Sequence, residues 1–221
     1  MEYHKINAPY KRWRKDLHDA SMLPKGTTWN QFKIDEFSLP EFEYLFDNDW
    51  TWIEKLDGTN IRLYFDLDED NSLTMIIKGR TDKAEIPADL RLWLQDWFLK
   101  NEAALRSTFV FPVILYGEGV GKKIQKGGLF GEQHFKLFDI KIGDFWLKYE
   151  DVANIAANIK LDNAKLFYVG SMRDAIELVK SKPKSTHGDF VIEGFVGTPT
   201  CNLMMRNGER LITKLKVVDF K

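Results

Sequence analysis

Apolar and polar residues alternate along two neighbouring segments of the chain. The alternating apolar residues are Ile61, Leu63, Phe65, Leu73, Met75 and Ile77. The polar residues 68–71 separate the two segments. Because successive side chains of a strand point to opposite faces of a sheet, a period of two indicates strands with one buried face. The pattern therefore predicts an antiparallel hairpin.

The segment that follows has helical periodicity. Its apolar residues stand at positions i, i+3, i+4, i+7 and i+8, and they are Leu90, Trp93, Leu94, Trp97 and Phe98. This spacing places them on one side of a helix and predicts an amphipathic helix that packs on the core. Pro87 suits the first turn of this helix, because proline has no amide hydrogen to leave unsatisfied there.

The remaining segments predict further strands with helices between them. We expect strands at 109–116, 135–142, 166–169 and 190–196, a hairpin of 202–206 with 211–218 around Asn207-Gly208, and helices near 150–159 and after the capping residue Ser171. Strands dominate, which indicates an α+β fold of antiparallel sheets with flanking helices. We expect residues 1–221 to form a single domain, on which residues 1–50 pack as a basic and aromatic extension.

Composition limits the classes to which the protein can belong. The chain has 221 residues, and 44% of them are apolar, which is enough for a substantial core. Lysine and arginine number 32 against 33 acidic residues, so a nucleic-acid site must be a local basic patch. The single cysteine, Cys201, excludes an intrachain disulfide, and no apolar run approaches the roughly 18 residues of a membrane span. We therefore expect a soluble, cytoplasmic protein.

The candidate chemistry begins at Lys55. This lysine precedes Asp57-Gly58, where the glycine permits a tight turn and the close approach of a phosphate. An amine attacks phosphorus only in its uncharged form, and a neighbouring cation favours that form. Lys214 and Lys216 stand two residues apart, so a strand would place both on one face, where they could meet the same phosphate. Taken alone, Lys55 is also explained by an ordinary hairpin with a solvated lysine, and a solvated edge strand is the commoner meaning of Lys214 and Lys216.

Lys55 is followed, at wide spacing, by four further motifs, Tyr116-Gly117-Glu118-Gly119, Phe135-Lys136-Leu137-Phe138-Asp139, Ile192-Glu193-Gly194-Phe195-Val196 and Lys214-Leu215-Lys216. In this order they resemble nucleotidyltransferase motifs I, III, IIIa, IV and V of the covalent superfamily of ligases and capping enzymes. The sequence around Lys55, Glu-Lys-x-Asp-Gly-Thr-Asn, resembles the ATP-dependent RNA ligase family most closely. The opening Tyr3-His4-Lys5-Ile6 is similar to the start of small phage and bacterial RNA ligases. The resemblance implies the nucleotidyltransferase fold, with the nucleotide pocket between antiparallel sheets.

The resemblance also implies the catalytic residues and the cofactors. Lys55 matches the lysine that becomes covalently linked to AMP, and Lys214 and Lys216 match the lysines that act with it on the phosphate. Glu193 matches the glutamate that helps to hold a hydrated Mg²⁺ or Mn²⁺ ion. The implied cofactors are therefore ATP and one of these two metals.

Further residues are implied to bind the nucleotide, and the full set is Glu54, Asn60, Arg80, Glu118, Phe138, Glu193, Lys214 and Lys216. Glu118 matches a glutamate that accepts a hydrogen bond from the ribose. Phe138 matches an aromatic residue that stacks on the purine, whereas Phe135 is expected in the core. Asn60 and Arg80 match residues that meet phosphates, the ribose or the nucleic-acid end.

The implied function is ATP-dependent ligation of RNA in three steps. Lys55 attacks ATP to form lysyl-AMP, AMP passes to a 5′-phosphate, and a 3′-hydroxyl then displaces AMP and seals the strand. The expected partner is RNA with 5′-phosphate and 3′-hydroxyl ends. We expect a monomer in the cytoplasm of a bacterium or of a phage-infected cell, with no contact to membranes.

Three alternatives remain open. A GTP-dependent mRNA capping guanylyltransferase would use the same lysine chemistry, but we expect no C-terminal OB domain with its motif VI after Lys216. A DNA ligase is disfavoured by Thr59-Asn60 and by the same expectation. A non-catalytic nucleic-acid-binding module would not require the full set of Lys55, Glu118, Glu193, Lys214 and Lys216.

Overall fold

The structure is a computed structural model that describes residues 2–125 and 127–220. Contacts between residues group into two compact units. Among the described residues, unit 1 comprises 2–4 and 56–165 apart from 126, and unit 2 comprises 5–55 and 166–220. It remains a prediction that the whole chain forms one nucleotidyltransferase domain.

Short strands and helices alternate along the chain. The strands are β1 (Tyr10–Arg12), β2 (Phe32–Phe37), β3 (Trp50–Lys55), β4 (Thr59–Leu67), β5 (Leu73–Lys78), β6 (Val113–Val120), β7 (His134–Ile142), β8 (Phe145–Trp146), β9 (Asp162–Asn163), β10 (Leu166–Gly170), β11 (Gly194–Pro199) and β12 (Thr213–Lys216). The helices are α1 (Pro40–Tyr44), α2 (Ala88–Thr108), α3 (Tyr149–Asn158) and α4 (Met172–Lys180), with short 3-10 helices at Ala20–Met22, Gly127–Phe130 and Val217–Phe220. In the described ranges, no helix is both long and apolar enough to cross a membrane.

Unit 1 is built on one sheet with the strand order β5-β4-β6-β7-β8. These neighbours pair antiparallel, and β9 adds a short parallel pairing with β7. The alternating residues Ile61, Leu63 and Phe65 of β4 enter a hydrophobic core shared with α2 and α3. Leu90 and Leu94 of α2 are fully buried in the same core. The other face of β4 therefore presents its polar residues.

Unit 2 contains a four-stranded antiparallel sheet, β10-β3-β11-β12, and a two-stranded sheet, β1-β2. Its core includes Trp50 and Trp52 of β3 and Phe195 of β11, together with residues of α4. Tyr10 of β1 and Phe32 of β2 are buried in this same core. Residues that precede β3 therefore supply part of the hydrophobic interior of unit 2.

The predicted fold class is confirmed, because the sheets are antiparallel apart from the β7–β9 pairing and helices flank them. The predicted hairpin is β4–β5, and the predicted amphipathic helix is α2, which begins one residue after Pro87. Ser171 caps α4 as predicted, since its side chain accepts a hydrogen bond from the amide of Asp174.

Several predicted boundaries are wrong. β6 begins at Val113 and not at residue 109, and it continues to Val120, because it stays paired with β7 over that length. β12 is limited to Thr213–Lys216. β11 begins at Gly194, because residues 190 and 192 bond back to residues 185 and 183 and not to a neighbouring strand. The predicted hairpin turn at Asn207-Gly208 is present, because Met204 and Arg210 form an antiparallel bridge and Leu211 N donates to the carbonyl oxygen of Leu203 at 2.8 Å. Residues 202–206, all of them described, nevertheless form no strand of their own. Asn202 has a φ of 47°, which turns the chain after β11, and β12 pairs with β11 instead.

Candidate active site

Lys55, the last residue of β3, lies in a row with residues of two neighbouring strands. It is the cross-strand partner of Gly194 in β11, and Gly194 is in turn the partner of Lys216 in β12. Glu193 immediately precedes Gly194. Its Oε2 accepts a hydrogen bond from Lys55 Nζ at 2.6 Å, and its Oε1 lies 2.6 Å from Lys216 Nζ. One carboxylate therefore binds two lysines from different strands.

Gly194 permits this arrangement because it has no side chain. A Cβ atom at this position would collide with the carbonyl oxygen of Leu215 in β12. Any larger residue would push β12 away from β11, and Lys216 would then move away from Glu193. The glycine after the glutamate is thus required by the close approach of two strands.

Burial and charge act in opposite directions on Glu193. Burial raises the pKa of its carboxyl group, but the charge of Lys55 and the hydrogen bonds from Lys216 and Lys55 lower that pKa by more. The pKa of Glu193 therefore lies below its ordinary value. Glu193 is ionised at neutral pH and keeps both lysines paired.

Lys214 lies on the same face of β12 as Lys216, as the spacing predicts, while Thr213 and Leu215 are buried on the other face. Burial lowers the pKa of Lys214, and the positive charges of Lys216 and Lys55 lower it further. Asp219 acts in the opposite direction, but the net shift is downward. A positive charge on Lys214 is therefore disfavoured in the folded protein.

Glu54 is the neighbour of Lys55 in β3 but is only 2% exposed. Its Oε1 accepts a hydrogen bond from Ser185 Oγ at 2.5 Å. Its Oε2 accepts two more from Thr186, at 2.9 Å from the amide and at 2.7 Å from Oγ1. These donors satisfy a charge that would otherwise be costly to bury. Sequence patterns do not identify Ser185 and Thr186, because 131 and 132 residues separate them from Glu54.

In unit 1, Asn60 of β4 is the cross-strand partner of Glu118 of β6. Asn60 Oδ1 is buried and has no hydrogen-bond partner among the residues that the structure describes. Since most buried polar atoms are paired, this oxygen fits a hydrogen-bond donor of a ligand. Position 58 requires glycine for a different reason, because a Cβ atom there would collide with the carbonyl oxygen of Gly119.

Phe138 of β7 belongs to an aromatic group in unit 1. Tyr3 lies edge-on to Phe138 with ring centroids 5.3 Å apart, and it contacts Tyr116 at 5.1 Å and Trp146 at 5.7 Å. Phe138 is only partly buried, whereas Phe135 is fully buried in the core as predicted. A face or an edge of the Phe138 ring is therefore accessible to a planar ligand.

A hydrogen bond from Tyr3 Oη to Asp139 Oδ2, 2.5 Å long, attaches the N-terminal residues to this aromatic group. Sequence patterns do not predict this contact. Burial raises the pKa of Tyr116, beside Tyr3, to about 12. Tyr116 is therefore neutral at any pH at which the protein would work.

Arg80 is exposed and lies in the loop that follows β5. The buried Arg62 of β4 fixes this loop, because its Nε donates to the carbonyl oxygen of Gly79 at 2.7 Å and its Nη2 lies 3.0 Å from Asp82 Oδ1. The structure therefore places Arg80 on a loop held at both sides.

Glu193 is the predicted metal ligand. The described residues contain no group of three or more His, Cys, Asp or Glu side chains that could hold a metal ion. Mg²⁺ keeps several water ligands and is usually bound by one or two carboxylates together with phosphate oxygens. The single ionised carboxylate of Glu193 is suited to bind a hydrated ion of this kind. It would not be sufficient for a site in which the protein supplies all of the metal ligands.

Comparison with known proteins reveals both the family and the fold. A sequence model of the family described as RNA ligase matches residues 48–216. The structure of Naegleria gruberi RNA ligase with PPi superposes with a TM-score of 0.59 and 17% identity, over 80% of this chain and 52% of that one. An alanine variant of the same ligase with ATP and Mn superposes with a TM-score of 0.59 and 13% identity, over 98% of this chain and 60% of that one.

These structural likenesses show a shared fold, and the chain spans about half the length of the Naegleria proteins. Comparison with curated protein sequences finds no match. The family match, by contrast, extends over most of the chain, from just before β3 to the last residue of β12. The chain therefore belongs to the RNA ligase family.

Proposed function

We propose that this protein is an ATP-dependent RNA ligase and that Lys55 is its nucleophile. The supporting observation is the pairing of Lys55 and Lys216 with one carboxylate, Glu193, in a chain of the RNA ligase family. Such a group holds an amine in a fixed position beside further positive charge, as an attack on phosphate requires. The Naegleria structures with PPi, or with ATP and Mn, support ATP and a divalent cation as cofactors.

In the first step, Lys55 Nζ gives up a proton to water and then attacks the α-phosphorus of ATP. A phosphorus–nitrogen bond forms, the bond to the bridging oxygen breaks, and pyrophosphate leaves with the bonding electrons. Lys214 and Lys216 stabilise the negative charge that develops on the phosphate oxygens. A Mg²⁺ or Mn²⁺ ion bound at Glu193 would neutralise further phosphate charge.

Four further residues bind the nucleotide or the RNA end in this proposal. Phe138 stacks on the purine, and Glu118 accepts a hydrogen bond from the ribose. Asn60 and Arg80 bind phosphate oxygens or the RNA end. The partial burial of Phe138 supports its role in stacking. Asn60 Oδ1 is buried and has no hydrogen-bond partner among the described residues, which supports the binding of a polar ligand group there.

The later steps join RNA ends. AMP passes from Lys55 to a 5′-phosphate, and a 3′-hydroxyl then attacks that phosphate, forms the phosphodiester bond and releases AMP. We infer that the protein acts as a monomer in the cytoplasm, with residues 1–221 as one nucleotidyltransferase domain. Membership of the RNA ligase family supports RNA as the substrate.

Intact-protein mass spectrometry tests the proposal directly. Incubation with ATP and Mg²⁺ should add the mass of one AMP, and Lys55→Ala should abolish this adduct. The matched control is Lys100→Ala on the exposed surface of α2, which should form the adduct as the wild type does. AMP mapped to a residue other than Lys55 would show that the assignment is wrong. An adduct formed with GTP but not with ATP would favour a capping guanylyltransferase.

Sealing assays then test the substrate. We expect a nicked or single-stranded RNA with 5′-phosphate and 3′-hydroxyl ends to be joined faster than the matching DNA. Equal or faster sealing of DNA would favour a DNA ligase. If the protein formed the AMP adduct but sealed neither RNA nor DNA, only the two later steps of the proposal would be contradicted.

A further inference from the structure

Residues 183–192 form a hairpin between α4 and β11. Ser185 N donates to the carbonyl oxygen of Phe190 at 2.7 Å, and Ile192 N donates to that of Pro183 at 3.1 Å. Between these two bonds, Lys184 and Val191 form an antiparallel bridge. The hairpin 183–192 is therefore a defined element whose last residue directly precedes Glu193.

The carboxylate of Glu54 holds this hairpin at its turn. It accepts hydrogen bonds from both hydroxyls and from one amide of Ser185 and Thr186. Ser185 Oγ also accepts a hydrogen bond from the amide of His187 at 2.9 Å, which fixes the hydroxyl in its orientation.

Glu54 and Lys55 are adjacent in β3, so their side chains point to opposite faces of the sheet. Lys55 contacts Glu193 directly, and Glu54 contacts the hairpin that leads to Glu193. One strand thus positions both the amine and, through the hairpin, the carboxylate that pairs with it. A nucleotide bound by Glu54 would have to displace three donors from a carboxylate that is 2% exposed.

We propose that Glu54, Ser185 and Thr186 are positioning residues that set the location of Glu193, and that Glu54 does not contact the nucleotide. This inference rests on the proposed function, in which Glu193 holds the divalent ion. Residues that orient a metal ligand typically change metal affinity or activity by roughly 10- to 100-fold when they are removed. We therefore expect their loss to raise the metal requirement of lysyl-AMP formation and to leave the ATP requirement nearly unchanged.

The test measures lysyl-AMP formation while Mg²⁺ and ATP are varied separately. Glu54→Gln and the double variant Ser185→Ala with Thr186→Val should require roughly 10- to 100-fold more Mg²⁺ for half-maximal rate. Thr186→Ser keeps the hydroxyl and should behave as the wild type. Ser181→Ala, which removes a hydroxyl at the end of α4, is the matched control and should have no effect.

Amide hydrogen exchange provides a readout that does not depend on activity. In Glu54→Gln and in the double variant, the amides of Thr186 and Ile192 should exchange faster, while those of β3 keep their protection. Unchanged exchange in both variants would overturn the positioning role. So would a raised ATP requirement with an unchanged Mg²⁺ requirement, because that result would make Glu54 a nucleotide ligand.

The two proposals fail in different ways. If the wild-type protein forms no lysyl-AMP, the proposed function is wrong and the inference about metal use falls with it. If the wild type forms lysyl-AMP and the variants have the same Mg²⁺ requirement, only the positioning role is wrong.

Discussion

The two units hold their candidate site residues by different forces. In unit 2, Lys55, Glu193 and Lys216 are held by ion pairs, and a buried carboxylate with three donors lies next to them. In unit 1, Phe138 and Tyr3 are held mainly by contacts between aromatic rings. Removal of one charge leaves its partner unbalanced, whereas removal of a ring loses only the contact area of that ring. Substitutions in unit 2 should therefore have larger effects that depend on pH.

The largest effect is expected for Glu193→Gln. The neutral amide would leave Lys55 and Lys216 without the carboxylate that pairs them, and it would remove the metal ligand. We expect the rate of lysyl-AMP formation to fall by about 10²- to 10³-fold, as on the loss of a group that fixes charge in an active site. The measurement is a single-turnover assay with saturating ATP and Mg²⁺.

Glu177→Gln on the exposed surface of α4 is the control for this variant, because it removes a glutamate paired with a lysine outside the site. It should leave the rate unchanged. If the rate for Glu193→Gln stayed within a few-fold of the wild-type rate, substitutions in unit 2 would not have the larger effects that we expect of them.

The second effect concerns the aromatic group. Phe138→Ala should weaken ATP binding by about 1–3 kcal/mol, the value of one base stacked on an aromatic ring. Phe138→Trp should keep most of the affinity, because stacking requires only a planar ring. Phe145→Ala, at a side chain that is 78% exposed, is the control. Loss of folding stability in Phe138→Ala and Phe138→Trp alike, with unchanged ATP affinity, would show that Phe138 is a core residue.

The smallest effect is one of stability, and it has an unusual sign. Because the fold lowers the pKa of Lys214, the folded protein binds that proton less tightly than the unfolded chain does. The charge on Lys214 therefore destabilises the fold at neutral pH, and this penalty is relieved as the pH rises from the lowered pKa to the ordinary value of 10.5. Lys214→Met should be less active but more stable than the wild type at pH 7.

Urea unfolding at several pH values measures this difference. The extra stability of Lys214→Met should shrink as the pH approaches 10.5. Lys216→Met is the matched comparison and should be destabilised, because it removes a partner of Glu193. A Lys214→Met variant less stable than the wild type at pH 7 would contradict the lowered pKa.

Periodic segments of the sequence were sufficient to predict the elements that they form. The β4–β5 hairpin and α2 follow from alternation and from helical spacing, because their apolar faces pack on a core within unit 1. The start of β11 could not be predicted in this way. Residues 190–192 have a strand-like composition, but the backbones of Phe190 and Ile192 bond to Ser185 and Pro183 within the hairpin 183–192.

Residues of the candidate site that belong to a sequence motif could be predicted. Residues that hold them in place from distant parts of the chain could not. Lys55 and Glu193 belong to predicted motifs, and the structure brings them into contact. The partners of Glu54 and the contact of Tyr3 with Asp139 depend on residues more than 130 positions apart. No local pattern encodes such a pairing, because it arises only when the strands have assembled.

The division of the chain between the units also affects how the protein folds. The β3–β10 pairing of unit 2 joins Ile53 to Leu166, so the whole of segment 56–165 lies inside one loop. Closing a flexible loop of roughly 110 residues costs about 4 kcal/mol of chain entropy beyond a constant. Unit 1 is almost continuous in sequence and meets no such barrier. It should therefore fold first, and the pairing of Lys55 with Glu193 should be among the last contacts to form.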